Sequence, residues 1–211
     1  MGVSLDSPTE LTEYDIGRLL CTPFNAMITT PRLLLRPWRN DDREPFAQMC
    51  ADPEVMEFLP ACLTREQSDE TVTRIQTHHE KHGFCLFAAE LIGRAPFIGF
   101  VGLQHVPFEA AFTPAVEIGW RLARPYWDRG LATEGALAVL SYGLGTLELP
   151  EIVSFTVPGN IRSRRVMEKI GMKRDRSGDF EHPRLPAGHP LRRHVLYRLN
   201  RDAWKQVEGL D

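Results

Sequence analysis

Val116-Glu117-Ile118-Gly119-Trp120-Arg121-Leu122, continuing through Ala123-Arg124-Pro125-Tyr126-Trp127-Asp128-Arg129 into Gly130-Leu131-Ala132-Thr133, is the stretch on which the fold turns. Its first segment reads as a strand. Beyond the turn, Leu131 to Leu147 carries Ala136, Leu140, Leu144 and Leu147 at helical spacing. A strand feeding a small-residue turn at a helix N-terminus is an anion site by construction. Backbone N–H groups point outward without helical partners, the helix dipole adds positive potential, and glycine admits a phosphate close to the backbone. A pyrophosphate would fit there. Strand alternation places Glu117, Gly119 and Arg121 on one face and Ile118, Trp120 and Leu122 on the other. A mid-strand glycine weakens a sheet and is easiest to understand where a ligand comes close, so the face carrying Glu117 is the expected cleft face.

Downstream, Glu151 to Val157 is strand-like and Asn160 to Ile170 returns to helix, with Val166, Met167 and Ile170 on one face and Arg162, Arg165 and Lys169 largely elsewhere. A Pro-rich loop from Phe180 to Leu191 leads to a last strand, His194 to Leu199. Upstream, Leu33-Leu34-Leu35 suits a short buried strand that Pro37 stops. Asp41 with Glu44, and Thr64 with Gln67, read as capping boxes opening two helices, the second running to His82 before Gly83. Phe84 to Leu91 and Phe97 to His105 form a hairpin across Ile92-Gly93-Arg94-Ala95-Pro96. This order predicts an α/β (α+β) fold, a single mixed, mostly antiparallel central sheet flanked by helices. Residues 1–26 are expected to be an N-terminal extension, in which Tyr14, Ile16, Leu19 and Leu20 form one apolar helical face, or to lie upstream of a translation start at Met27. Residues 27–211 are expected to be one domain.

Trp127, Gly130 and Ala132 resemble the phosphate-binding turn of the GNAT superfamily, Gln/Arg-x-x-Gly-x-Gly/Ala, with Trp127 departing at the first position. The pair Tyr126-Trp127 before the glycine resembles the branch that acetylates N-terminal amines of ribosomal proteins. Asn160-Ile161-Arg162-Ser163-Arg164-Arg165-Val166-Met167-Glu168-Lys169-Ile170-Gly171-Met172 is similar to the family's Asn-x-x-Ser-x-x-Val-x-Glu-Lys-x-Gly-Met/Phe helix, and the two segments come in the family's order. The resemblance extends from Ile28 to Asn200 and is weakest before Phe84.

The resemblance implies a GNAT-like acyl-CoA acyltransferase fold with acetyl-CoA as co-substrate and no metal. It implies cofactor contacts from Trp120 and Leu122 on the strand, from Arg129, Gly130, Leu131, Ala132 and Thr133 in the turn, and from Asn160, Ser163 and Arg165 on the second helix. One of Arg162, Arg164 and Arg165, with Arg129, is expected to hold the 3′-phosphate. In such enzymes the amine attacks the thioester directly, so a base, a carbonyl-polarising N–H and a thiolate acid are needed. Glu117 is the candidate base. The family's tyrosine acid is replaced by Met167, which leaves Ser163 or a water to protonate the thiolate. The acceptor is a primary amine, either a protein N-terminus or a small molecule. A catalytically weak acyl-CoA-binding or regulatory module is the alternative, and a homodimer is one assembly open to either.

Each residue also has a plainer role. Asn160 is a strong helix cap, the arginines suit a solvated face, and a strand glutamate can face water. Gly130-Leu131-Ala132-Thr133-Glu134-Gly135 imitates a dinucleotide fingerprint, but Glu151 opens its strand where that fingerprint needs an acid at the far end. His78, His79 and His82 raise a metal through the spacing of His78 and His82, but no third ligand is marked, so a solvated helix face is expected. The loop beyond Phe180 is a candidate border of the acceptor site or a rigid surface crossing. A net charge of −3 over 211 residues supplies no overall attraction for nucleic acid. Cys21, Cys50, Cys62 and Cys85 lack zinc or dithiol spacing and are read as reduced thiols. No segment has the roughly 18 apolar residues of a membrane span, so a cytoplasmic protein is expected.

Overall fold

Eight strands form one sheet in the computed structural model, which describes residues 26–208. In chain order they are β1 (Ile28–Thr29), β2 (Leu33–Arg36), β3 (Leu86–Leu91), β4 (Ala95–His105), β5 (Val116–Leu122), β6 (Glu151–Thr156), β7 (Lys173–Glu181) and β8 (Arg193–Asn200). Their spatial order is β1-β2-β3-β4-β5-β6-β8-β7, antiparallel throughout except between β5 and β6. The mixed, mostly antiparallel sheet expected from the sequence is present. Its parallel junction requires a crossover, and the segment after the glycine turn supplies it.

Among the described residues, five α-helices flank the sheet: α1 (Arg43–Ala51), α2 (Arg65–His82), α3 (Leu131–Leu140), α4 (Ile161–Lys169) and α5 (Arg201–Glu208). The register of β4 against β5 sets their faces, with Phe100, Gly102 and Gln104 opposite Arg121, Gly119 and Glu117. On that face α1 packs through Phe46, whose ring lies 5.0 Å from Trp38 and 6.2 Å from Phe100. On the other face α3 lies against the sheet through Gly135. A Cβ there would stand 3.2 Å from Val101 Cγ2 and 3.3 Å from Leu33 Cδ1, so the small residue sets how near α3 approaches. Leu33, Leu35, Phe46, Val101, Leu103 and Ile118 are buried, each contributing about 1.5–3 kcal/mol by leaving water.

The Thr64–Gln67 capping box is present. Thr64 N–H donates to Gln67 Oε1 at 2.9 Å, Gln67 N–H donates to Thr64 Oγ1 at 3.3 Å, and α2 ends at Gly83 in the left-handed region. The Asp41–Glu44 box is not. Arg39 N–H donates to Asp42 Oδ2 at 2.7 Å, and Asp42 also grips buried Arg36 at 2.8 and 2.9 Å. The reason is tertiary, because the buried Arg36 guanidinium needs carboxylates, and Asp42 pairs with its Nη1 and Nη2 while Glu90 takes Nε at 3.1 Å.

The helix expected over Leu131–Leu147 is α-helical to Leu140 and then widens into a π-helix, Ser141–Thr146. Strand β7 falls where the sequence shows no apolar alternation. It is an edge strand of mostly charged residues, Lys173-Arg174-Asp175-Arg176 first, and such edges need no buried face. Helix α5 was likewise not signalled, although its Trp204 is buried. Cys50, Cys62 and Cys85 are free thiols. Cys21 and the expected extension, apart from Ala26, lie outside the described residues. No described helix is long and apolar enough to cross a membrane.

Candidate active site

Strands β5 and β6 pair at Glu117↔Val153 and then diverge. Ala123 N–H donates to Ile98 O at 2.9 Å, so by the alternation of an antiparallel ladder Arg121, Gly119 and Glu117 bond to β4. The amides and carbonyls of Ile118, Trp120 and Leu122 therefore point to the opening. Two of these carbonyls are held by side chains: Ser154 Oγ donates to Ile118 O at 2.9 Å, and Trp127 Nε1 donates to Leu122 O at 2.6 Å. The N–H groups of Trp120 and Leu122 face the cleft that the diverging strands leave.

The glycine turn closes one end of this cleft. Gly130 has φ +74°, a conformation glycine adopts without the steric cost a Cβ brings, and it opens α3 with no side-chain cap on the first turn. Glu134 fixes the turn from behind. Its carboxylate accepts from Thr30 Oγ1 at 2.6 Å, Arg32 N at 2.9 Å and Arg32 Nε at 2.6 Å, while Arg32 Nη1 donates to Arg129 O at 3.0 Å. Arg32 thereby neutralises a carboxylate that would otherwise oppose an anion at this helix end. At the departing first position, the Trp127 ring gathers cations while its Nε1 donates to Leu122 O. Arg162 Cζ lies 4.5 Å and Arg124 Cζ 5.1 Å from its centroid.

Helix α4 forms the opposite wall. Asn160 caps it, accepting from Ser163 N–H at 3.1 Å and donating to Thr156 Oγ1 at 3.1 Å, so its side chain serves the helix first. Arg164 turns away to Tyr197 Oη at 3.3 Å and Pro158 O at 3.0 Å, which leaves Arg162, Arg165 and Lys169 on the cavity wall. Met167, at the position of the family's tyrosine, is buried.

The cavity has a volume of about 760 Å³ and is lined by Glu117, Trp120, Leu122, Gly130, Leu131, Ala132, Thr133, Asn160, Ser163 and Arg165. Every candidate site residue from the sequence borders it except Arg129, which is exposed and outside the lining. Glu117 accepts from Gln104 Nε2 at 3.0 Å. Burial pushes its carboxyl up to about 7, and the Gln104 hydrogen bond offsets this only in part. Gly119 beside it leaves open space, since a Cβ there would come no closer than 3.7 Å to Leu86 Cδ2.

Beyond Glu117 the cavity is walled by residues the sequence did not bring together, including Arg74, His78, His105, Phe108, His182 and Arg184. The loop after Phe180 does border the cavity. Phe108 packs 4.6 Å from His182 and 5.7 Å from Phe155, and Arg184 donates to Pro107 O. Gln104 and Glu134 were also missed. Strand alternation could have found Gln104, because it shares a face with Glu117 in the neighbouring strand, but nothing local signals Glu134.

A family model described as the acetyltransferase (GNAT) domain matches residues 32–173. The chain belongs to the GNAT acetyltransferase family. This GNAT chain is 33% identical to the uncharacterized protein YkkB of Bacillus subtilis (strain 168) over 146 residues, covering 69% of this chain and 84% of the relative. It is 26% identical to the FsC-acetyl coenzyme A-N(2)-transacetylase of Aspergillus fumigatus over 188 residues, covering 85% and 78%. Its fold is similar to the crystal structure of a GNAT-family acetyltransferase from Bacillus anthracis, with TM-score 0.69, 29% identity, and 84% and 99% of the two chains covered. The ribosomal-protein-S5-alanine acetyltransferase of Vibrio fischeri shares the fold at TM-score 0.67 and 16% identity, covering 85% and 99%.

Proposed function

We propose that the protein transfers an acetyl group from acetyl-CoA directly to a primary amine. The observation that carries this reading is the placement of Glu117 in the same cavity as the glycine turn, at the point where β5 and β6 part. The turn and the start of α3 receive the pyrophosphate through backbone N–H groups. The diverging strand presents the Trp120 and Leu122 N–H groups to the pantetheine arm and the thioester carbonyl, so that donors preset in the sheet polarise the oxygen as charge develops on it. Arg165, exposed at the cavity wall, binds the 3′-phosphate.

Glu117 takes a proton from the acceptor ammonium, directly or through a water. A carboxylate poised near neutral pH combines a useful ionised fraction with useful basicity, the compromise that general-base catalysis favours. The neutral amine attacks the thioester carbon, the C–S bond breaks, and the attacking nitrogen gives up its remaining extra proton, which Ser163 or a water relays to the departing thiolate. The fungal relative's name specifies N(2)-transacetylation from acetyl coenzyme A, which supports N-acetylation as the reaction. Measuring thiol release from acetyl-CoA against panels of peptides and small amines tests the proposal. Turnover with one class names the acceptor. Binding of acetyl-CoA without turnover on any amine overturns the transferase reading in favour of an acyl-CoA-binding module.

A further inference from the structure

His78 and His82 stand one turn apart on α2, and the fold brings a third imidazole to them. His105, the last residue of β4, places its ring 5.4 Å from that of His78 and 4.3 Å from that of His82, and His78 and His82 are themselves 4.5 Å apart. One ring nitrogen from each lies within 4.8 Å of the other two. His78 Nδ1 sits 2.9 Å from Phe84 O, an acceptor, so this nitrogen carries the proton and Nε2 keeps its lone pair. Nε2 lies 3.2 Å from His105 Nδ1. A backbone carbonyl holding the far N–H is the arrangement that orients a metal-bound histidine.

We propose that His78, His82 and His105 form a three-imidazole site for a divalent transition ion, Zn²⁺ in the first instance, with its fourth position open toward the acceptor end of the cavity. Imidazole suits zinc, copper and nickel, and three protein ligands with one open position is the arrangement of a reactive rather than a structural zinc site. Ligation exchanges one interaction for another. His78 Nε2 accepts the His105 backbone N–H at 3.1 Å, and a metal bond replaces that hydrogen bond. The rings close from their present separations toward the roughly 3.3 Å between nitrogens of a tetrahedral site with ordinary Zn–N bonds. His82 is exposed and ends a helix, so it can make this movement. His78 and His105 line the cavity with Glu117, and His105 pairs with Val116, at the end of β5 away from the Leu122 that leads into the glycine turn, so the open position faces an acceptor's amine or carboxylate rather than the cofactor.

The test is calorimetric titration of the untagged full chain with Zn²⁺, in a Cys21→Ser, Cys62→Ser background that removes Cys21 and the one exposed thiol among the described residues, followed by Co²⁺ as a spectroscopic probe. One equivalent should bind, and the Co²⁺ adduct should show the intense visible bands of tetrahedral coordination. His82→Ala and His105→Ala should each weaken the ion by at least the 10- to 100-fold typical of lost support around a metal, and His189→Ala should not. Thermal melting of each apo variant shows whether it is folded, and His105→Gln replaces His105→Ala if that one is not. Absence of saturable binding, or one-equivalent binding that survives both substitutions, overturns the site. Because binding is read without acetyl-CoA, its failure is separate from failure of the transferase reading.

Discussion

The two ends of the cavity are built by different means. At the glycine-turn end the donors are backbone N–H groups, presented by a left-handed glycine, an uncapped helix start and a strand whose neighbour has parted from it. Side chains there act from behind, as Glu134 does through Thr30 and Arg32. At the Glu117 end the working groups are side chains drawn from α2, β4, β5 and the loop after β7, and their chemistry depends on burial. On the proposed reading, backbone recognition tolerates change in side-chain identity, so Trp127 can stand at the first position of the turn with its ring given to arginines. Side-chain chemistry does not tolerate it, because each group's proton affinity is set by what surrounds it.

Glu117→Gln is the sharpest way to break this contrast. It should lower kcat by roughly 10²- to 10⁴-fold while leaving acetyl-CoA affinity nearly unchanged, with the loss growing through pH 7 as Glu117 ionises and shrinking only at higher pH, where more amine arrives neutral. In the unaltered enzyme the rate should climb through pH 7 as Glu117 ionises, and that limb should vanish in the variant. Near-normal turnover of the Gln variant at neutral pH would remove Glu117 from the mechanism.

Gly130→Val attacks the other end. A β-branched residue at φ +74° is strained and must rearrange the turn. Acetyl-CoA at a hundred times its dissociation constant should raise the melting temperature of the parent by roughly 5–10 °C, from a stabilisation of about 2.7 kcal/mol. The variant should show almost none of this shift, and a full shift would show that the phosphates bind elsewhere.

Arg165→Ala should weaken CoA about 10-fold, the scale of one charge-assisted contact, and leave 3′-dephospho-CoA unaffected. Arg164→Ala should not distinguish the two ligands, since its guanidinium already serves Tyr197 and Pro158. Competitive binding of both nucleotides reads the difference, and equal effects from the two variants would deny Arg165 the phosphate.

The smallest effect concerns stability. The carboxyl of Glu117 titrates near 7 in the fold against 4.5 as its ordinary value. Folding therefore binds a proton at this site, a contribution present below about pH 4.5 and lost as pH rises through 7. Glu117→Gln should accordingly raise the melting temperature more at pH 8 than at pH 5. A pH-independent change would mean that Glu117 is not buried as described.

Local interactions were legible in the sequence, since their partners lie within a few residues: the glycine turn at Gly130, the Thr64–Gln67 box, the Gly83 stop and the strand alternation that puts Glu117 and Gly119 on one face. The mixed sheet followed from the order of such segments. What depended on residues far apart in the chain was decided by the tertiary structure alone. Asp42 rather than Asp41 receives the helix-start N–H because buried Arg36 holds it there, and β7 takes the sheet edge by pairing with β8, with no apolar pattern of its own. Arg164 is committed to a contact with Tyr197 that a helix pattern does not show. His105 reaches His78 only because β4 ends beside α2. Glu117 becomes a group of neutral pH only when the fold removes water from it, since desolvation is a property of the assembled surroundings and not of the residue.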